Sequence, residues 1–445
     1  MSARQFFGCP QGRWRPAHGP HPRTWPLRAA LVRHPVLSYV YSARRTSIQV
    51  SATVAERVNV LYLIDYFHRT GGTEKHLAQL VERLPPQTFK CSIVAFDLGA
   101  NPLLDKVRAS GIPVIHVPVG REYVPNAWLR AVQLSKLLRT LQPDIVQTFH
   151  QKSDTYGAII ARLSGVRHIV SSKRDTGALR APHHFFLNRR LRRLFERVIV
   201  VADAVGSAVM TTDKIEPARI VRIYNGVDTE EFAPSSRPEA AESRHRLGIG
   251  ADDFVVGMVA GFRPEKNHDI LFAGASRALA AIPSLKILAV GGGPLLDHYR
   301  RVAEAGPLRG RVVLTGDVRH VAPYLAAMDV GCLVSGSNEG FSNAVLEMMA
   351  AGLPMIVTDV GGNAEAVLQD DNGFVIPPLD AGALQQALVD SYADQSRRAA
   401  MGRRARQLAE EKFSLERMCD DHARLYLSLC EPHRHADASP LPRAQ

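Results

Sequence analysis

Short apolar runs alternate along most of this chain with longer stretches in which apolar residues recur every three or four positions. The runs, bounded by Gly, Pro, Asn or Asp, read as buried strands, and the longer spacing reads as amphipathic helices. Val58–Ile64 is the first strand, and Leu77, Leu80, Val81 and Leu84 mark the helix after it. Lys90–Phe96 and Ile112–Ile115 are strands with a helix over Leu103–Ala109 between them. A helix over Trp128–Leu141 precedes a strand that opens at Pro143 and ends near His150. Gly157–Leu163 is helical, His168–Ser171 is a short strand, and Phe195–Val201 leads into another.

The alternation pauses at Val221–Asp228 (V-R-I-Y-N-G-V-D) and at the linker-like Pro234–Pro238, then restarts. Strands are predicted at Phe254–Ala260, Leu285–Val290, Val312–Leu314, Val330–Leu333 and Met355–Val357, with a helix over Asn267–Ala280 and others in the gaps. A last helix spans Leu415–Leu429, with Ser414 as its N-cap. Strand and helix in this rhythm predict an α/β protein with two Rossmann-like domains facing a cleft, and ligands beyond the carboxyl ends of the strands. The expected boundaries are 56–232 and 233–412 for the two domains, 413–430 for the final helix, and disordered ends at 1–55 and 431–445.

Composition refines this picture. At 445 residues the chain is too long for one ordinary core. Its 46% hydrophobic and 22% charged residues are those of a soluble globular protein, and no apolar run is long enough for a membrane-spanning helix. The five cysteines, Cys9, Cys91, Cys332, Cys419 and Cys430, are scattered, which argues for reduced packing thiols over a metal site or disulfide framework. Much of the net charge of +12 sits in residues 1–55, which hold eight arginines and no lysine or acid. Such a leader reads either as an organellar transit peptide or as an over-extended start, and it is left out of the fold.

The densest chemistry lies between Ser335 and Glu365. Glu339 and Glu347 stand eight residues apart around a turn at Gly340-Phe341 and a helix start at Ser342-Asn343. A helix start gathers unpaired backbone N–H groups and the positive end of the helix dipole, a ready anion site. Two acceptors flanking an anion site suit a nucleotide sugar, with ribose, pyrophosphate and hexose in a row. Taken alone, the two carboxylates also fit a plain solvated helix cap. The helix, strand and Gly361-Gly362 loop that come next, with Glu365 behind, carry the first reading further. This E-x(seven)-E element and its surroundings resemble the donor-binding half of the retaining GT-B glycosyltransferases of family 4, and the resemblance covers about residues 58–430.

The resemblance implies roles for other motifs. Gly71 and Gly72 fall where the family carries G-G-x-E, near the diphosphate and the acceptor. Lys266 and Arg263, in R-P-E-K-N, correspond to the phosphate-binding pair, although many relatives place the arginine where this chain has Gly261. His150 stands where relatives often carry histidine, and a structural histidine is the competing reading. Ser172-Lys173-Arg174 replaces the Thr-x-His of many relatives, so Lys173 or Arg174 would supply the contacts instead. Gly292, in Gly291-Gly292-Gly293-Pro294, falls in a loop near the nucleotide, and Asn225-Gly226-Val227-Asp228 reads as a hinge. Glu347 would accept ribose hydroxyls. Glu339 would meet hydroxyls of the transferred sugar, helped by backbone N–H groups from Gly340, Phe341, Ser342 and Asn343. The terminal helix would cross back to the first domain.

The activity implied is transfer of a sugar, with retention, from a nucleoside-diphosphate sugar bound in the second domain to a hydroxyl of a saccharide or lipid-linked acceptor held by the first. No metal and no separate cofactor are expected. From Gln151 to Val200 eleven Lys/Arg face three Asp/Glu, which suits either a solvated helix face or an anionic membrane surface. No aromatic-and-basic recognition motif speaks for nucleic acid. The expected setting is cytoplasmic, either free or peripheral on the inner face of the plasma membrane, in polysaccharide or lipopolysaccharide synthesis. A nucleotide-sugar epimerase and a non-catalytic scaffold of the same fold stay open.

Overall fold

The computed structural model describes residues 57–68, 71–120, 125–178 and 180–434. The leader expected at 1–55 and the tail beyond 434 lie outside the described residues. Two parallel sheets form from the two blocks of alternation. The first takes β1 (Val58–Ile64), β2 (Phe89–Ala95), β3 (Val114–His116), β4 (Ile145–Phe149), β5 (His168–Lys173), β6 (Arg197–Val200) and β7 (Ile220–Arg222), in the order β3-β2-β1-β4-β5-β6-β7. The second takes β8 (Phe254–Val259), β9 (Leu285–Val290), β10 (Val312–Leu314), β11 (Val330–Leu333), β12 (Met355–Thr358) and β13 (Gly373–Ile376), in the order β10-β9-β8-β11-β12-β13. The expected fold, two Rossmann-like domains, is the one observed.

The helices that build the cleft, its rim and the link between the domains are α1 (Gly72–Arg83), α2 (Pro125–Leu141), α3 (Pro182–Leu191), α4 (Asp203–Thr212), α5 (Asn343–Ala350), α6 (Gln395–Lys412) and α7 (Leu415–Arg434). Parallel strands are buried on both faces, so they read as unbroken apolar runs: β4 and β12 have every residue buried. In each sheet the strand order reverses once, between β1 and β4 and between β8 and β11. The crevice beyond the carboxyl ends at such a reversal is where open α/β sheets bind ligands.

The chain passes between the domains twice, side by side. Val227 donates its N–H to the Phe413 carbonyl at 2.8 Å, and Leu415 donates back to Val227 at 3.0 Å. Gly226 is needed there, because a side chain would run into the Leu415 backbone. α7 then packs on α1 and β1 of the first domain, with Leu415, Met418, Leu425, Tyr426 and Leu429 in the core on that face of the first sheet. The Ser414 hydroxyl accepts from the Arg417 N–H at 3.3 Å, which caps this helix. α7 continues to Arg434, past the boundary expected at 430.

Some expectations fail locally. The alternation does not pause at Val221, since Ile220–Arg222 adds an edge strand before the Asn225–Asp228 stretch. The basic run from Arg189 to Arg197, which reads as helical in the sequence, is not one helix: α3 ends at Leu191, a 3-10 turn follows, and Arg197 opens β6. Arg237–Arg246 is helical, started by a Ser236/Glu239 capping box, so a helix begins within the linker-like Pro234–Pro238. Cys91, Cys332 and Cys419 are buried free thiols, and burial pushes them up to about 11, 12 and 12.

Candidate active site

The loops after β8 and β11 meet at the reversal point of the second sheet and bring the family-like motifs together. After β8 the chain turns through Arg263 and a 3-10 turn over Pro264–Lys266, closed by Asn267 in the left-handed region (φ 55°). The Lys266 ammonium ends on the Glu339 carboxylate from the loop after β11. Ser335 also donates to the same Oε1 of the buried Glu339, at 2.9 Å, and Thr358 donates to the Ser335 carbonyl at 2.7 Å. Ser342 then opens α5, whose first-turn N–H groups have no intrahelical partner. This is a charged, hydrogen-bonded rim around a helix N-terminus, the arrangement that takes an anion.

Glu347 lies one turn into α5 and is buried. Its Oε1 accepts from the Lys75 ammonium at 2.6 Å, an ion pair that reaches across from α1 in the first domain. Burial raises the Glu347 carboxyl above the usual carboxylate range; Lys75 opposes that rise and Glu231 adds to it.

Gly71 and Gly72 begin α1 at the reversal point of the first sheet. Gly72 faces Asn343, whose side chain donates to the Gly72 carbonyl at 3.4 Å. Neither glycine has a positive φ; a Cβ at Gly71 would run into the Glu74 carboxylate, whereas one at Gly72 would make only an ordinary contact with Asn343. His150 follows β4 with φ 73°, and its ring stacks on Tyr66 at 4.5 Å. Tyr66, His150, Asp154, Ser172 and Arg174 line a cavity of about 410 Å³, with Asn338 of the second domain also in its lining. Beneath it, Asp65 accepts from the Lys152 and Ser153 backbone and from the Ser153 hydroxyl. Burial pushes Asp65 up to about 6, against those hydrogen bonds.

Lys173 and Arg174, expected to supply cationic contacts, are both engaged with other residues of the chain. Lys173 is buried between Asp154 at 2.7 Å and Asp213 at 3.5 Å, so its charge is spent inside the first domain. Arg174 donates to Asn225 at 2.6 Å, and Asn225 donates in turn to the Phe341 carbonyl and to Asn343 at 2.6 and 2.8 Å. Asn225 is thus a clamp between the domains. Burial lowers Arg174 to about 9, with Glu74 opposing the fall, which leaves it a cation at neutral pH.

Other motif residues sit apart from the open rim. The Phe341 ring packs on Tyr224 and Phe413 at 4.8 and 5.3 Å. Gly292 donates its N–H to Asp317 at 3.0 Å, and its loop lies against the backbone of Ala260 and Phe262, where side chains would collide. Arg263 is exposed on its loop. His268 is a core residue, stacked on Phe262 at 4.1 Å.

Lys75 and Glu365 had no assigned task in the sequence. Glu365 accepts from the Asp203 and Ala204 N–H groups at 2.9 Å each and from the Tyr224 hydroxyl at 3.1 Å. A carboxylate of the second domain therefore caps α4 of the first. The only signals were a lysine next to Glu74 and an acid just after Gly361-Gly362. Among the described residues no cluster of His, Cys, Asp or Glu could hold a metal ion, and no helix is long and apolar enough to cross a membrane.

The chain is similar to known proteins along most of its length. Residues 70–231 match the family described as Glycosyltransferase Family 4, and residues 253–394 match Glycosyl transferases group 1. The UDP-Gal:alpha-D-GlcNAc-diphosphoundecaprenol alpha-1,3-galactosyltransferase of Escherichia coli is 28% identical over 374 residues, covering 81% of this chain and 94% of that protein. EpsD of Bacillus subtilis, assigned as a glycosyltransferase, is 30% identical over 309 residues, covering 66% of this chain and 79% of its own. Among solved structures, Anabaena HepE in complex with UDP superposes with a TM-score of 0.72 at 22% identity, over 83% of this chain and 100% of that one. A glycosyltransferase from Rickettsia africae gives 0.75 at 18% identity, over 84% and 99%. At these identities the structural likeness speaks for the fold.

Proposed function

The chain belongs to the family-4 glycosyltransferases, and from that premise we propose that it moves a sugar, with retention, from a nucleoside-diphosphate sugar to a hydroxyl of a saccharide or lipid-linked acceptor. The observation that carries this reading is the cluster at the second reversal point. Glu339, the N-terminus of α5 and Glu347 follow one another from the loop after β11 into α5, with Lys266 set on Glu339. That order matches hexose, diphosphate and ribose. Lys266 and the α5 amides neutralise the charge that grows on the diphosphate as the glycosidic bond breaks, with Arg263 able to swing in from its exposed loop. Glu339 orients the sugar and Glu347 the ribose. His150 and the cavity beside it receive the acceptor. Attack from the face the diphosphate leaves lets a phosphate oxygen take the acceptor proton, so neither a nucleophilic carboxylate nor a metal ion is required.

The acceptor domain also carries an apolar and basic rim. Trp128, Leu129 and Val132 are exposed at the start of α2, at 79%, 70% and 54%, and Phe186 is exposed on α3 beneath Arg190. Both helices begin near the carboxyl ends of their strands, the end that faces the cleft. Apolar side chains with cations beside them suit an anionic lipid surface, and we read the enzyme as peripheral on the cytoplasmic membrane face.

The test is turnover. The full chain is incubated with UDP-, GDP-, ADP- and TDP-hexoses and with saccharide and polyprenyl-diphosphate-saccharide acceptors, and the product's anomeric configuration is read by NMR. Transfer with retention supports the proposal. Lys266→Ala is expected to lower kcat about 100- to 1,000-fold. Hydrolysis or epimerisation of the donor without acceptor would move the reading to an epimerase, and donor binding with no turnover would move it to a scaffold.

A further inference from the structure

Lys75 is the residue at the cleft for which the proposed reaction has no task. It leaves the first turn of α1, passes the Phe232 ring at 5.2 Å, and ends 2.6 Å from Oε1 of Glu347, 272 residues away along the chain. Its side chain is 29% exposed and that of Glu347 10%, so water screens the pair only in part. The other groups around α5 do not compensate Glu347. Glu231 adds like charge. Arg406 on α6 is occupied by the carbonyls of Thr229 and Ala350. Glu365, on the short helix beside α5, is engaged with the start of α4, and Cys332 on β11 is a buried thiol. Lys75 is therefore the cation that balances Glu347, and it comes from the opposite domain. A buried carboxyl that loses its cation protonates more readily, and a protonated carboxyl is a poorer acceptor for two ribose hydroxyls.

We infer that Lys75 is a positioning residue of the donor site: from the acceptor domain it holds Glu347 ionised and turned toward the ribose, so the nucleotide site is complete only when the two domains are apposed. The inference rests on the reading of Glu347 as the ribose acceptor.

The experiment is calorimetric titration of the full chain with UDP, GDP, ADP and TDP across about pH 5 to 9. The wild-type chain is compared with Lys75→Met, Lys75→Arg, Glu347→Ala and, as a control, Arg83→Met, which breaks the neighbouring Arg83–Asp228 pair on the same helix. For the nucleotide that binds, Lys75→Met is expected to weaken affinity about tenfold near pH 7. The deficit should grow as pH falls and shrink as it rises, because Glu347 then titrates at higher pH. Lys75→Arg should restore the affinity, and Arg83→Met should leave it unchanged. Wild-type affinity in Lys75→Met at every pH, with Glu347→Ala still defective, overturns the inference and leaves the donor site standing. A uniform loss that neither depends on pH nor is restored by arginine overturns it as well. No nucleotide binding at all, or no effect of Glu347→Ala, removes the donor-site reading and this inference with it.

Discussion

Gly340 shows how little room the domain interface leaves. A Cβ there would overlap the Arg174 carbonyl, and Gly362 already donates to the Gly340 carbonyl at 2.6 Å. Gly340→Ala should lower unfolding stability by about 1–3 kcal/mol in urea melts and weaken nucleotide binding, because it pushes the acceptor domain away from α5. His268 and His422 make a different prediction. Burial lowers each to about 4, and neither ring nitrogen of His268 has a hydrogen-bond partner. The unfolded histidines, near the ordinary value of about 6.5, take up protons first. Stability is therefore complete above about pH 6.5 and is lost as pH falls toward about 4. His268→Phe should flatten that slope in melting temperatures taken across the window, and an unchanged slope would refute the assignment. At this scale Lys266 and Glu339 were legible because they lie in short local motifs on neighbouring loops. Lys75–Glu347 was not, because no local pattern announces a pair separated by most of two domains.

Among the elements, α4 depends on a residue it does not contain. Ala202, its N-cap position, has no side-chain oxygen, and Glu365 of the other domain caps it instead. Glu365→Ala should cost about 1–2 kcal/mol in chemical denaturation, and Glu365→Gln less, since an amide oxygen still accepts. Long apolar strands and helices were legible because burial on both faces leaves an unbroken signature. β7 and β13 were not: each is short and broken at one end, by Arg222 and by Gly373, and each adjoins a stretch that reads as loop. The π-helical turn Ser153–Gly157 was invisible for another reason. It is held by Asp65, and Gly157 lies against Leu63 and Phe96, contacts made by residues distant along the chain.

For the molecule as a whole, orientation toward lipid is the testable property. Flotation with vesicles containing phosphatidylglycerol should recover the full chain, each Lys or Arg near the surface adding about 1 kcal/mol. Trp128→Ser with Leu129→Ser should release it without changing nucleotide binding. Equal recovery on neutral and anionic vesicles would sink the lipid assignment. The two crossings paired at Val227 and Ser414 bear on how this protein is made. The Tyr426 hydroxyl, in the final helix, donates to buried Gln147 at 2.6 Å and lies 3.4 Å from the hydroxyl of Tyr62, so the first domain's core is finished by some of the last residues described. A ribosome adding about 5–20 residues per second takes roughly 10–40 s to travel from β7 to the end of α7. Through that interval the nascent first domain stands with one face uncovered, so its core is completed late because of the chain's threading rather than its chemistry.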